Sequence, residues 1–162
     1  MTATTKKAAI IGGGVIGGGW AARFLLNGWD VAVFDPDPEA ARKIGAVLDR
    51  ARASLPALYD RALPPEGTLS YCDSLEAGAD WVQESVSELL DLQHKVYAQI
   101  AGALPKGGFI ASSTSGFKAS DLAAGDAPVV VVHPFNPVYL LPLAEITGAP
   151  ELRARAAGAG GT

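Results

Sequence analysis

Three glycines and one aspartate have the types and the spacing needed to hold a dinucleotide. Gly12, Gly14 and Gly17 are the only choice that gives G-x-G-x-x-G in this stretch, and Asp35 follows eighteen residues after the last of them. One apolar run precedes the glycines, a helical pattern follows them, and a second apolar run ends at Asp35. This order of strand, glycine turn, helix, strand and acid is typical of a pyrophosphate-binding turn.

The three glycines have different tasks in such a turn. Gly12 permits the sharp turn out of the strand, Gly14 lets the backbone approach a pyrophosphate, and Gly17 lets the helix pack closely on the strand. The pyrophosphate would lie at the N-terminus of a helix that begins near Val15 and Ile16, where unpaired N–H groups favour an anion.

Asp35 indicates which dinucleotide is bound. Its carboxylate can accept hydrogen bonds from the adenine ribose hydroxyls, and its charge would repel a 2′-phosphate. We therefore expect NAD rather than NADP. The alternative is a glycine-rich loop that binds no ligand.

A histidine near the end of the chain could carry proton transfer. His133 follows four valines and precedes Pro134, and we expect this proline and Pro137 to hold the chain extended and to fix the directions of His133 and Asn136. Histidine titrates near neutrality, so it can take a proton while a hydride leaves the substrate. Glu145 is the candidate partner for its other ring nitrogen. The alternatives are a loop histidine and a solvent-facing carboxylate on an edge strand.

Four hydroxyl side chains at 112–115 form the other polar cluster. The pattern G-x-S-x-G is absent, so hydrogen bonding to a substrate oxygen is a better interpretation than a nucleophile. No group of histidine, cysteine and carboxylate residues has metal-ligand spacing, and we expect no metal.

The elements that must position these residues alternate between strands and helices. Apolar runs predict strands at 8–11, 30–34, 69–72, 80–84, 108–112 and 128–133, with a seventh at 142–147. A helix is expected from the turn at Pro36 and Pro38 to about residue 54. Another is expected over 88–103, and its apolar face would contain Leu89, Leu92, Val96, Ile100 and Ala103. This order predicts an α/β fold of Rossmann type, a doubly wound, mostly parallel sheet with helices on both faces. The glycine turn, Asp35, Glu84, 112–115 and His133 all follow strands and would meet at one sheet edge.

Composition limits the remaining possibilities. The 162 residues suffice for one domain, and the net charge of −4 disfavours nucleic acid as a partner. A single cysteine, no apolar run long enough to span a membrane and no signal-peptide pattern favour a cytoplasmic location. We expect an NAD-binding domain at 1–147 and a frayed Ala/Gly-rich tail at 148–162.

Several stretches together resemble a known family. These are 12–20, 34–36, 83–86, 112–117 and 133–145, within a resemblance that runs from about Lys7 to Thr147. They are similar to the NAD-binding domain of the L-3-hydroxyacyl-CoA dehydrogenases, and 113–118 and 136–143 are most similar to the branch that oxidises carnitine. The loops near 76–78 and 124–126 look shorter than those of the family.

The resemblance implies roles for individual residues. His133 would be the general acid/base and Glu145, twelve residues later, would orient it. Ser115 and Asn136 would hold the substrate's oxygens, and Glu88 would approach the nicotinamide ribose.

The implied reaction is NAD-dependent oxidation of a small 3-hydroxy acid, L-carnitine to 3-dehydrocarnitine. The alternatives are a 3-hydroxyacyl-CoA dehydrogenase and a non-catalytic NAD-binding module. Gln93 departs from the family, which commonly has a lysine near the cofactor at this position, so a cofactor contact there is not expected. Family members continue into a helical domain that closes the cleft and forms the dimer interface. These 162 residues lack that domain, so we expect poor activity and a homodimer only where it is present.

Overall fold

Seven strands form a single sheet in the order β3-β2-β1-β4-β5-β6-β7. The computed structural model describes residues 5–74, 78–123, 125 and 127–160. The strands are β1 Lys7–Ile11, β2 Asp30–Phe34, β3 Leu69–Tyr71, β4 Trp81–Glu84, β5 Ile110–Ser112, β6 Val129–Pro134 and β7 Ala144–Thr147. The helices are α1 Val15–Leu26, α2 Ala40–Ser54, α3 Leu90–Ile100, α4 Ala119–Leu122 and α5 Pro150–Gly160, with short 3-10 helices at Leu55–Leu58 and Ala101–Ala103.

The strand order reverses between β1 and β4. From β1 the chain builds outward through β2 and β3 on one side, then returns to β4 on the other side, and these strands are all parallel. Such a reversal leaves a crevice at the carboxyl ends of the strands, where ligands bind. β7 runs in the opposite direction, since it pairs antiparallel with β6, and its carboxyl end lies at the other edge.

Helices cover both faces of the sheet, because the buried strand residues alternate between two cores. Ala8 and Ile10 of β1 pack in the core that includes α1, α2 and α5. Ala9 and Ile11 pack in the opposite core with α3 and Leu122 of α4. Successive strand side chains point to opposite faces, so a strand that is apolar throughout must be covered twice. The Rossmann-type prediction is confirmed.

Two helices differ from their predictions. α2 begins at Ala40 rather than in the turn at Pro36 and Pro38. α3 buries Gln93, Val96, Tyr97 and Ile100, whereas Leu89 and Leu92 of the predicted apolar face are exposed. The predicted apolar face is therefore correct at Val96 and Ile100 and wrong at Leu89 and Leu92. Gln93 and Tyr97 are buried instead, because α3 covers a polar network in the protein interior.

The tail expected to fray forms α5 instead. Leu152 and Ala159 pack against the first core, and Ala156 is buried in it. Alanine is the best helix former, and one buried stripe of such residues is enough to dock the helix. Residues 161–162 lie outside the described part of the chain, as do Glu76, Ala77, Ala124 and Asp126 of the two loops expected to be short. No described helix is long and apolar enough to cross a membrane.

Candidate active site

The glycine turn has the shape that its spacing predicts. Gly12 has φ +91°, and its N–H donates to the Phe34 carbonyl at 2.9 Å. A Cβ on Gly17 would lie 1.8 Å from the Gly12 carbonyl oxygen, so only glycine lets α1 approach the turn. A Cβ on Gly14 would meet no protein atom within 4 Å. Gly14 therefore faces open space, as a residue that admits a pyrophosphate must.

The start of α1 offers free donors to this space. Gly14 is the N-cap, and no side chain caps the helix. The first N–H groups of a helix have no partner within it, so those at Val15, Ile16 and Gly17 are available to an anion. The Val15 side chain, 69% exposed, lies beside them. These features fit a bound dinucleotide.

Asp35 is tied to the glycine turn. Its Oδ2 accepts a hydrogen bond from the Gly13 N–H at 2.5 Å, and its Oδ1 accepts one from the Asp37 N–H at 2.8 Å. Each carboxylate oxygen can accept a second hydrogen bond. The half-buried carboxylate is thus fixed at the end of β2 with acceptor capacity remaining for a ribose.

Glu88 organises the loop after β5. Its Oε1 accepts hydrogen bonds from the Thr114 hydroxyl at 2.7 Å, from the Ser115 N–H and from the Gly116 N–H at 3.1 Å. The Ser115 hydroxyl donates to the same carboxylate at 3.2 Å. These donors, the Thr114 hydroxyl first, hold the pKa of Glu88 below its usual value. From the sequence we expected Glu88 to approach the nicotinamide ribose, and its hydrogen bonds to the loop at 114–116 were not predicted.

His133 and Glu145 are direct neighbours across β6 and β7. The His133 Nδ1 lies 3.8 Å from the Glu145 Oε2, an ion-pair distance if the imidazole is protonated. Glu145 is 69% exposed and His133 33% exposed, so the pair lies at the protein surface. The two residues are twelve positions apart in the sequence and become cross-strand neighbours because β7 pairs antiparallel with β6.

The predicted residues come together only in part. A cavity of about 240 Å³ is lined by Ile16, Ser85, Val86, Glu88, Ser113, Thr114, Ser115, His133 and Pro134. It joins α1 to the ends of β4, β5 and β6. Asn136 is exposed and does not line it. The chain bends at Asn136 and Pro137, whose peptide is cis, and turns over 138–140, so it is not extended beyond Pro134 as expected.

A buried polar network beneath the cavity was not predicted as such. The Glu84 Oε2 accepts hydrogen bonds from the hydroxyls of Tyr97 and Ser112, both at 2.6 Å, and from the Gln93 amide at 3.3 Å. Its Oε1 accepts the Val86 N–H at 2.8 Å. Burial and the adjacent carboxylate raise the pKa of Tyr97 well above its usual range. Glu84 therefore lies in the interior and not at the cleft edge where its strand-end position placed it. Its signal in the sequence was a carboxylate at the end of a buried strand, next to the polar Gln83.

The fold and the site together define a class of protein. A parallel sheet reverses its order beside a glycine turn, an aspartate follows the second strand, and a histidine lies near the end of β6. This is the dinucleotide-binding domain of a dehydrogenase. The described residues contain no group of three histidine, cysteine or carboxylate side chains that could hold a metal ion.

Comparison with known proteins identifies the family. The chain belongs to the family described as 3-hydroxyacyl-CoA dehydrogenase, NAD binding domain, whose model matches residues 7–156. A Ruegeria pomeroyi protein named L-carnitine dehydrogenase/betainyl-CoA thioesterase is 65% identical over 150 residues, which cover 89% of this chain and 31% of that protein. The L-carnitine dehydrogenase of Mesorhizobium japonicum is 51% identical, over 88% of this chain and 41% of its own length.

A solved structure agrees with this assignment. The NAD⁺-dependent dismutase 5-formyl-3-hydroxy-2-methylpyridine 4-carboxylic acid 5-dehydrogenase superposes with a TM-score of 0.84 at 32% identity, covering 97% of this chain and 54% of its own. Our chain thus spans about a third to a half of the length of these proteins. The cofactor of the domain is NAD.

Proposed function

We propose that this chain is the cofactor-binding part of an NAD-dependent dehydrogenase that oxidises the 3-hydroxyl of L-carnitine to a ketone. The proposal is carried by one observation above all. A single cavity beside the glycine turn contains both Ser115 and His133, a hydroxyl and a titratable base. The relatives named L-carnitine dehydrogenase give the substrate.

His133 is proposed to remove the proton of the substrate's hydroxyl. Its Nδ1 faces the Glu145 carboxylate, so an Nδ1–H tautomer leaves the Nε2 lone pair for the substrate's hydroxyl proton. Glu145 then favours the imidazolium that forms, since it lies at ion-pair distance. NAD, when bound, supplies the acceptor for the hydride.

Ser115 and Asn136 are proposed to hold the substrate's oxygens. The Ser115 hydroxyl now donates to Glu88, so it must exchange that hydrogen bond for one to the substrate. Asn136 is exposed beyond the end of β6 and would close on the substrate from outside the cavity. Glu88 is proposed to contact the nicotinamide ribose with its second oxygen.

Binding and turnover test the proposal separately. Titration calorimetry should show that the 162-residue chain binds NAD⁺, weakly, and binds NADP⁺ more weakly still. Turnover is measured on an extended protein, in which this chain is followed by the part of the Ruegeria pomeroyi relative beyond the match. It should form NADH from L-carnitine faster than the isolated chain does.

Two results would redirect the proposal. Faster turnover in an acetoacetyl-CoA assay than with L-carnitine would assign the protein to acyl-CoA oxidation. NAD⁺ binding without turnover in the extended protein would indicate a non-catalytic binding module. A proposed soluble, cytoplasmic location and a homodimer of the extended protein can be checked by cell fractionation and by light scattering.

A further inference from the structure

A second polar network leads from the core to the cavity, and the chemistry of its members fixes the direction of each hydrogen bond. It starts at Trp81, whose Nε1–H donates to the Gln83 Oε1 at 2.9 Å. An indole nitrogen can only donate, so this contact fixes the orientation of the Gln83 amide. The fully buried Gln83 must then present its Nε2 to the Ser113 hydroxyl, which lies 2.8 Å away.

The Ser113 oxygen receives two donors. One is the Gln83 amide and the other is the Trp20 Nε1–H, at 3.2 Å. A hydroxyl oxygen has two lone pairs, so both are now occupied. The remaining neighbour is the Ser85 hydroxyl at 2.8 Å, and Ser113 must donate its own proton to it.

Ser85 is thereby left with a proton to donate. Its oxygen accepts from Ser113, and no acceptor for its O–H occurs among the hydrogen bonds of the described residues. Ser85 lines the 240 Å³ cavity together with Ile16 and His133. The network thus presents an unused hydroxyl donor to whatever molecule occupies that cavity.

The place of Ser85 in the sheet indicates which part of a dinucleotide it would meet. Asp35, after β2, marks the adenine ribose, and the glycine turn after β1 marks the pyrophosphate. β4 lies on the opposite side of β1 from β2. Ser85 directly follows β4 and lies beside the turn, since a Cβ on Gly12 would be 2.8 Å from the Ser85 carbonyl oxygen.

We propose that the Ser85 hydroxyl donates a hydrogen bond to an oxygen of the nicotinamide–ribose half of the bound cofactor, oriented by Gln83 and Ser113. This inference rests on the proposed function, because it needs the cofactor in this cleft. The acceptor is either a ribose hydroxyl or the carboxamide oxygen. Ser85 would then be a cofactor-binding residue outside the glycine motif and Asp35.

The test compares whole and partial cofactors. Affinities of the 162-residue chain and of Ser85→Ala are measured by calorimetry for NAD⁺, ADP-ribose and ADP. Losing one hydrogen bond should weaken NAD⁺ binding about threefold to tenfold. ADP binding should be unchanged, because ADP lacks the nicotinamide half. Equal weakening for ADP-ribose would identify the ribose as the acceptor, and weakening for NAD⁺ alone would identify the carboxamide.

Controls separate this role from a structural one. Ser87→Ala removes an exposed hydroxyl two residues away and should change no affinity. Ser85→Cys keeps nearly the same volume but has only a weak donor, so it should weaken NAD⁺ binding as Ser85→Ala does. It replaces the alanine variant if that variant is unstable. Unchanged NAD⁺ affinity in both Ser85 variants, or equal weakening for NAD⁺ and ADP, would overturn the assignment. Failure of the parent chain to bind NAD⁺ would overturn the proposed function as well.

Discussion

At the scale of single residues, we expect Asp35 to determine cofactor choice through its charge. Its two oxygens hold the backbone at Gly13 and Asp37, which leaves the carboxylate immobile at the end of β2. A fixed negative charge repels a 2′-phosphate more effectively than a mobile one, because it cannot move away.

Replacing Asp35 should therefore change selectivity as well as affinity. We expect Asp35→Ala to weaken NAD⁺ binding about tenfold, equivalent to about 1.4 kcal/mol, and to lower the ratio of the NADP⁺ and NAD⁺ dissociation constants. Asp35→Asn keeps an acceptor and removes the charge, so it isolates the electrostatic part. An unchanged ratio in both variants would refute the ribose role.

Glu88 should make the stability of the loop pH-dependent. Its folded pKa is lowered from 4.5, chiefly by the Thr114 hydroxyl, so its stabilising effect is present above that value and is lost as the pH falls through the lowered pKa. Glu88→Gln should thus have a lower melting temperature than the parent at pH 7, and the gap should narrow toward pH 3. Asp60→Asn, at an exposed carboxylate, is the control. A gap that stays constant with pH would contradict this account.

The sequence predicts single residues well where a motif fixes the spacing and poorly where partners are distant. The glycine turn and Asp35 lie within one strand–helix–strand unit, so spacing alone located them. Glu88 and the loop at 114–116 are more than twenty residues apart, and only the parallel pairing of β4 with β5 brings them together. Gln93 looked like a lost cofactor contact, yet it is buried and donates to Glu84.

At the scale of elements, the junction of β1 and α1 contains one glycine that the packing requires and one that faces open space. A Cβ at Gly17 would collide with the Gly12 carbonyl, whereas a Cβ at Gly14 would enter open space. Gly14 has φ −66° and ψ −162°, which alanine can adopt.

Alanine at Gly17 should therefore lower the stability of the fold, whereas alanine at Gly14 should lower the affinity for NAD⁺. We expect Gly17→Ala to destabilise the fold by about 2 kcal/mol or more, measured by urea unfolding. Gly14→Ala should change stability by less than about 0.5 kcal/mol and weaken NAD⁺ binding about tenfold or more. Tight NAD⁺ binding by Gly14→Ala would show that the pyrophosphate does not lie there.

Strands were easier to predict than helices for a physical reason. Each central strand is covered on both faces, so most of its residues are apolar and its bounds stand out to within about two residues. α3 instead covers the Glu84 network with Gln93 and Tyr97. The spacing of apolar residues cannot reveal a buried helix face that contains polar side chains. The antiparallel direction of β7 depends on the turn after β6, for which apolar patterning carries no signal.

At the scale of the whole molecule, α5 completes the first core. Ala156 is 1% exposed and lies in the first core, where α5 contacts β6 and β7, whereas its neighbour Ala157 is exposed. Burying an unpaired charge is costly, so Ala156→Asp should destabilise the chain by about 2–4 kcal/mol. Ala157→Asp is the matched control and should be nearly neutral. Equal unfolding midpoints in urea would mean that α5 does not dock as described.

We propose that this domain presents His133 as the base in an NAD-dependent oxidation of a 3-hydroxyl. NADH formation from L-carnitine by the extended protein and by its His133→Ala variant tests this role. We expect turnover by the parent and a loss of about 10² or more in the variant. NAD⁺ affinity should be similar in both. Equal rates for the two proteins, or no NADH from the parent, would contradict it.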